Sequence, residues 1–541
     1  MLYLIITLII YLIICFGFGN LFNKYLNSDN LLSINLLNGL LFIGLLASLT
    51  SFVFPLNFKF ELVILLIGFL FSIYFKFWKI RLTLFNCVII ILICFVSSMN
   101  AFLYDTFSYY LPTITWLNSY GLVKGLANFD FNLGQTSFWH ILQASFDEII
   151  DKYYKINALI LMIYSIYSIE TKQYKLLLFL PIFFLFAASP SPDLPVFVIS
   201  ILLFSNWLSR NDFQSIRYGL IVSSFLILIK PIAFVFPIFF FYLSIKQYKK
   251  FKIEYGLVSI VALLFLFKNL ILSGNLLFPL SFGNVPFLTY ALPKELYDLS
   301  ALDGKYMAVS RTVFISKDEI KDLSYIDYIL LLLNNLHLSL YLFIGFSIFQ
   351  LIVLYVTFKK KYFNLVILNV LFLIKIVVFT LISIQYRFIL DGFFIGVIIL
   401  IFPILAYRKS YLILIFVSAF CFVFSKNLVN NFSNLHFLKM ITPYSFNKVI
   451  KPTNYTLETE SLDLFPYKAK IVSRRSVSNN SKPITFNTTL IGRYVYQGYH
   501  PVLIDSNNVK KGFISLENDN EFDENAKFLL LKYYSAQKQS D

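Results

Sequence analysis

Five ionisable side chains stand where a mostly apolar chain could put them to chemical use: Asp105, Asp193, Lys230, Lys268 and Arg387. Each lies at or near the end of a long apolar run. An ionised side chain costs roughly 2.5–3.5 kcal/mol at the centre of a bilayer and less near its surface, so a charge kept there is a functional candidate. A carboxylate can take a proton from a hydroxyl, and a guanidinium or ammonium can hold a departing phosphate. Each residue also has a plain structural reading. Asp105 and Asp193 precede helical stretches and could cap them by accepting from backbone N–H groups. Arg387 could pair with Asp391 at i,i+4, while Lys230 and Lys268 could lie along apolar surface with their ammonium groups in water.

The elements that must position these residues are membrane helices. Of the 541 residues 58% are hydrophobic, with 63 Phe and 36 Tyr, and the mean hydropathy is +0.75. A soluble domain breaks its apolar residues into periodic stripes, whereas here they run on continuously. The pattern predicts an all-α polytopic membrane protein of about 12–14 transmembrane helices. An outer-membrane barrel would alternate along each strand and is excluded. The net charge of +16 does not point to nucleic acid, because the basic residues are spread over short loops, where they set orientation in the bilayer. Cys15, Cys87, Cys94 and Cys421 lie in apolar runs without CxxC spacing and form neither a disulfide framework nor a metal site. The first apolar run lacks the basic flank and cleavage site of a signal peptide and is expected to stay as a helix.

Charge also sets the topology. If the chain turns back at Lys230-Pro231, the basic groups at Lys76/Lys79/Arg81, Lys172/Lys175, Arg210/Arg217, Lys246–Lys252, Lys359–Lys361 and Arg408/Lys409 share one face. That face is the cytoplasmic one. A single helix through Pro231 would send every later group to the other side, so a hairpin is expected. The non-cytoplasmic face then receives the loop 103–153, the Ser189–Asp193 turn, Lys230, the loop 273–325 and Gln385–Arg387. The chain divides into a polytopic domain, residues 1–425, and a small non-cytoplasmic appendage, residues 426–541, polar and with short β-like runs.

Within the first large outer loop, Phe107, Leu111, Ile114 and Leu117 have the spacing of an amphipathic helix at the interface, and a second such helix is expected over 137–150. Tyr109, Tyr110 and Trp116 suit the headgroup layer and an acceptor. No Walker A, GxGxxG, HExxH or GxSxG motif is present. His140, His337, His436 and His500 show no ligand spacing, so no metal site is expected. The acidic run Glu517–Glu524 lacks the glycine and final glutamate of a calcium loop and reads as solvated.

The string Tyr104-Asp105-Thr106…Tyr109-Tyr110-Leu111-Pro112…Trp116…Tyr120-Gly121…Gly125-Leu126-Ala127-Asn128 resembles the first outer loop of a family of bacterial polytopic proteins from surface-polysaccharide gene clusters. That family is itself similar to the GT-C superfamily of membrane glycosyltransferases. Ser191-Pro192-Asp193-Leu194-Pro195, Lys268-Asn269…Ser273-Gly274-Asn275-Leu276-Leu277-Phe278-Pro279 and Tyr386-Arg387-Phe388 extend the likeness through most of the membrane part. The resemblance implies a GT-C-like fold in the bacterial inner membrane. It further implies transfer of a sugar from a polyprenyl-phosphate donor to a glycan or glycolipid acceptor, with Asp105 as general base. By the chemistry of the site, Asp193 would orient the base or bind acceptor, and Arg387, Lys268 and Lys230 would hold the donor phosphate. No cofactor is required; a divalent cation is compatible. Two departures stand out: Tyr110 replaces an expected histidine, and Phe131-Asn132-Leu133 replaces Gly-Arg-Leu, losing a cation. Two other readings share the features named so far, a surface-polysaccharide polymerase and a flippase or transporter of lipid-linked oligosaccharide.

Overall fold

Apolar residues on every side of a helix leave it no stable place in water, and this chain is built largely of such helices. The structure, a computed structural model, describes residues 1–26, 31–99, 101, 103, 105–245, 252–309, 317–335, 338–405, 413–419, 447–452, 456–464, 467–478, 485–486, 494–495, 497–505 and 507–517. Tyr104, His337, His436, Lys246–Lys250, Arg408, Lys409, most of the span expected at 410–425 and the acidic run after Glu517 lie outside the described residues. The protein is predominantly helical. Among the described residues six helices are long and apolar enough to cross a membrane: Leu2–Lys24, Leu32–Ser51, Asp193–Arg210, Ile253–Ser273, Leu340–Lys359 and Phe363–Ile382. Others, such as Leu84–Ser97 and Ile156–Glu170, are apolar but shorter than the ~20 residues of a perpendicular crossing.

The chain falls into two compact units. The first comprises Met1–Val198, Leu264–Leu292 and Tyr407–Asp541. Its helices α1 (Leu2–Leu26) and α2 (Leu32–Ser51) form an antiparallel pair. Small residues let them approach: a Cβ on Gly39 would strike the Cys15 carbonyl, and one on Gly19 would strike Asn35. Asn23 bonds Asn35 and Asn38 across the pair. Next come α3 (Phe58–Tyr74) and α4 (Leu84–Ser97), then the short loop helices α5 (Leu111–Tyr120), α6 (Leu126–Phe129), α7 (Phe131–Gly134) and α8 (Phe138–Ala144). Helices α9 (Ile156–Glu170) and α10 (Leu180–Ala187) follow, and α11 (Asp193–Arg210) leads into the second unit. At the end of α9 the Glu170 carboxylate caps α2, accepting from Leu32 N at 2.7 Å and Ser33 N at 3.0 Å.

The loop helices have a core of their own. Trp116, Leu117, Leu126, Phe129 and Leu133 pack with Val495, Leu503 and Phe513 from far along the chain. The tail contains strands β1 (Thr456–Leu464), β2 (Tyr467–Ser478) and β3 (Thr485–Phe486) in one sheet. Strands β4 (Tyr499–Leu503) and β5 (Phe513–Glu517) form a separate antiparallel pair. That pair is bonded to the loop. Phe513 N donates to Lys124 O at 3.0 Å, Ser515 Oγ to Asn128 Oδ1 at 2.8 Å, and Tyr494 OH to Ala127 O at 2.9 Å. Gly512, with φ +102°, has no Cβ to collide with Lys124. Residues 494–517 therefore share a side with the loop 103–153.

The second unit comprises Ile199–Leu263 and Pro293–Ala406. Helices α12 (Phe213–Ile229) and α13 (Val235–Ile245) fold back on each other at Lys230. Gly219 and Phe240, about equally far from that turn, are in contact, so the segment is the expected hairpin and not one kinked helix. Helix α14 (Lys252–Ser273) returns to the first unit, and α15 (Lys294–Val309), α16 (Lys317–Asp322) and α17 (Tyr325–Asn334) precede α18 (Leu338–Lys359). Helices α18 and α19 (Phe363–Ile382) pair antiparallel, with Gln350 bonded to Asn369 at 2.6 Å, and α20 (Leu390–Leu400) packs against α18.

Phe513 joins the tail to the loop core. Replacing a fully buried Phe by Ala typically costs about 3–5 kcal/mol. Phe513→Ala should lower the Tm of the solubilised protein and open residues 494–517 to limited proteolysis. An unchanged Tm and digestion pattern would show that the loop does not need the β4–β5 pair.

Candidate functional site

Asp105 opens a π-helical turn, Thr106–Tyr110, that continues into α5. Leu111 N donates to Thr106 O, five residues back. Single π turns of this kind are frequent at functional sites. Asp105 has helical backbone angles, φ −54° and ψ −25°, and its side chain makes no capping hydrogen bond. A capping residue is extended and accepts from the first turn. Asp105 is not a helix cap, and that structural reading of its carboxylate falls away.

Asp193 begins α11 and is fully buried. Its N–H donates to Ser191 Oγ, and Ser191 Oγ donates to Asp193 Oδ2, both at 3.3 Å. The two carboxylate-bearing segments touch: the hydroxyls of Thr106 and Ser189, both buried, are 2.6 Å apart. Lys268, buried in α14, donates to the Thr136 carbonyl and lies 5.6 Å from the Phe265 ring centroid.

Two of the other predicted side chains differ from their sequence reading. Trp116, 2% exposed, and Tyr110, fully buried, face protein and not an aqueous interface. Trp116 packs on Phe129 and Phe513, and Tyr110 on His140 and Tyr109. The tail supplies the apolar cover that the loop sequence alone lacks. Tyr109 remains half-buried.

In the second unit Lys230 and Arg387 come together on one ring. The Lys230 ammonium is 4.9 Å and the Arg387 guanidinium 5.5 Å from the Phe388 centroid. Gln385 orients the guanidinium, accepting from Arg387 Nε at 2.8 Å. Asp391 serves Lys375, whose ammonium donates to its two oxygens at 2.8 and 2.7 Å, both side chains buried. Asp391 is thus paired with Lys375 and not with Arg387 at i,i+4.

Four buried residues around the loop were not foreseen. Glu61, in the first turn of α3, accepts from the backbone N–H groups of Glu148, Ile149 and Ile150 at 2.8–2.9 Å. Asp151 Oδ2 accepts from Lys155 N, Gln143 and Tyr11 OH. Lys155 donates to Met99 O at 3.2 Å and Ala188 O at 2.8 Å. Asn157 donates to Phe186 O and Ser191 O, and accepts from Trp139 Nε1. Tyr154, between Asp151 and Lys155, has φ +59°, a left-handed backbone that costs about 1–3 kcal/mol and persists only when its surroundings enforce it. Glu61 within an apolar run was the signal available in the sequence; Lys155 offered none, because its partners are backbone carbonyls.

Burial pushes the Asp151 carboxyl up to about 7 from the ordinary 3.8, against hydrogen bonds from Gln143, Lys155 N–H and Tyr11. The folded state thus holds this proton more tightly than the unfolded chain. The resulting stabilisation is full below pH 3.8 and is lost as pH rises through about 7. The Tm of the solubilised protein should fall from about pH 5 to about pH 8, and Asp151→Asn should flatten that slope. An equal slope in both proteins would contradict the assignment.

Among the described residues no three His, Cys, Asp or Glu side chains gather where a metal ion could be held. Neither the curated proteins nor the solved structures give a match to this chain. A family model does: "Domain of unknown function (DUF8201)" matches residues 1–394, a stretch that includes Asp105, Asp193, Lys230, Lys268 and Arg387. The chain belongs to the DUF8201 family.

Proposed function

We propose that this protein is a GT-C-like glycosyltransferase of the bacterial inner membrane. In this reading it transfers a sugar from a polyprenyl-phosphate donor to a glycan or glycolipid acceptor on the non-cytoplasmic face. The observation that carries the reading is the placement of Asp105: it directly precedes a π-helical turn whose Thr106 is hydrogen-bonded to Ser189, in the turn that leads to Asp193. Asp105 takes the proton of the acceptor hydroxyl as its oxygen attacks the anomeric carbon. The bond from that carbon to the phosphate oxygen breaks, and the lipid phosphate leaves with the electron pair. Attack and departure on opposite faces invert the anomeric centre. A phosphate leaves readily once its charge is held, so no general acid is needed. Taken by itself, the second unit offers a Lys230–Arg387 pair of a kind that suits an anionic group. The resemblance of the loop around Asp105 to surface-polysaccharide proteins supports the same substrate class.

The transporter reading draws on one observation, the buried Lys375–Asp391 pair, because charges sunk among membrane helices often mark a translocation path. One assay separates the two. Purified protein in lipid should convert a polyprenyl-phosphate sugar and an acceptor to product without a nucleotide sugar. Asp105→Asn should fold normally and lose roughly 10²–10⁴-fold of that rate. Near-normal transfer by Asp105→Asn would remove Asp105 from the chemistry. A wild-type protein that moves lipid-linked sugar across vesicles without transferring it would favour transport.

A further inference from the structure

Lys155 is a buried cation that the proposed chemistry does not use. Its side chain is almost wholly enclosed, and its ammonium donates to Met99 O just past the end of α4 and to Ala188 O at the end of α10. Carbonyls at helix C-termini lack intrahelical partners and carry partial negative charge, so they suit an ammonium. An apolar side chain of equal length would fill this space without desolvating a charge; what it could not do is bind two helix ends at once. Those ends lead directly to the carboxylates, since Asp105 follows Met99 and Asp193 follows Ala188 within six residues. Neighbouring bonds brace the same point. Asp151 holds the Lys155 N–H at 2.8 Å, and Asn157, in the first turn of α9, bonds the carbonyls of Phe186 and Ser191 on either side of Ala188.

We propose that Lys155 is a positioning residue for the glycosyl transfer: its ammonium, bonded to the Met99 and Ala188 carbonyls, sets the spacing of the segments that carry Asp105 and Asp193. The catalytic part rests on the function proposed above; the spacing rests on the hydrogen bonds alone. Two readouts keep these apart. The first is oxidative cross-linking of Thr106→Cys with Ser189→Cys, which replaces two hydroxyls 2.6 Å apart and needs no turnover. The cross-link should form readily with Lys155 present and about tenfold more slowly in Lys155→Met, as a loss of proximity requires. The second is transfer kinetics. Lys155→Met should lower kcat by about 10²-fold, the effect of a small misplacement, with KM little changed, and Lys155→Arg should recover most of the loss. If Lys155→Met does not fold, Lys155→Gln takes its place, its shorter amide being unable to reach both carbonyls.

Equal cross-linking rates with and without Lys155 would overturn the proposal even if Asp105→Asn abolishes transfer. Slowed cross-linking in a protein with no transferase activity would uphold the spacing and overturn the catalytic part. A KM increase at unchanged kcat would also overturn the catalytic part, because it would mark Lys155 as acting on binding alone.

Discussion

The architecture of the first unit turns on a buried ammonium that must find acceptors. A cation taken out of water without partners is among the costliest groups a fold can hold. Lys155 meets that demand with two carbonyls from two different helices. Asn157, two residues further on, does the same with two more. The start of α9 thereby fixes the ends of α4 and α10 and the turn into α11. Helices α1 and α3 reach the same region through Tyr11, which bonds Asp151, and Glu61, which gathers three successive backbone N–H groups. What looks like a connecting loop is thus held by polar bonds to four of the surrounding helices.

That arrangement explains which parts of the molecule were legible in the sequence. Continuous apolar runs specify helices without reference to tertiary contacts, and the hairpin at Lys230 followed from the charge of distant loops alone. Sequence distance hid the rest. Trp116 looked like an interfacial residue because its cover, Phe513, lies hundreds of positions later and depends on Gly512 for close approach. Lys155 was not singled out because its partners are backbone carbonyls, which carry no sequence signature. Asp391 seemed a natural partner for Arg387 by helical spacing, but Arg387 lies in a 3-10 turn, Tyr386–Phe388, ahead of α20, and a lysine from α19 takes the carboxylate.

For the candidate site, residue type and position near helix ends marked Asp105, Asp193, Lys230 and Arg387, and the structure adds local geometry to each. Asp105 and Asp193 belong to segments joined by the Thr106–Ser189 hydroxyl bond, and Lys230 and Arg387 converge on Phe388. Asp105 makes no capping bond to the turn that follows it. The π turn Thr106–Tyr110 begins at the residue after this carboxylate.

The central claim is that the protein consumes a lipid-phosphate sugar and passes the sugar on. Mass analysis of lipid-linked glycans in cells lacking the protein tests it most directly. The account predicts accumulation of a polyprenyl-phosphate monosaccharide together with a surface glycan one sugar short. An unchanged pool of that donor, with complete lipid-linked oligosaccharide accumulating instead, would contradict it.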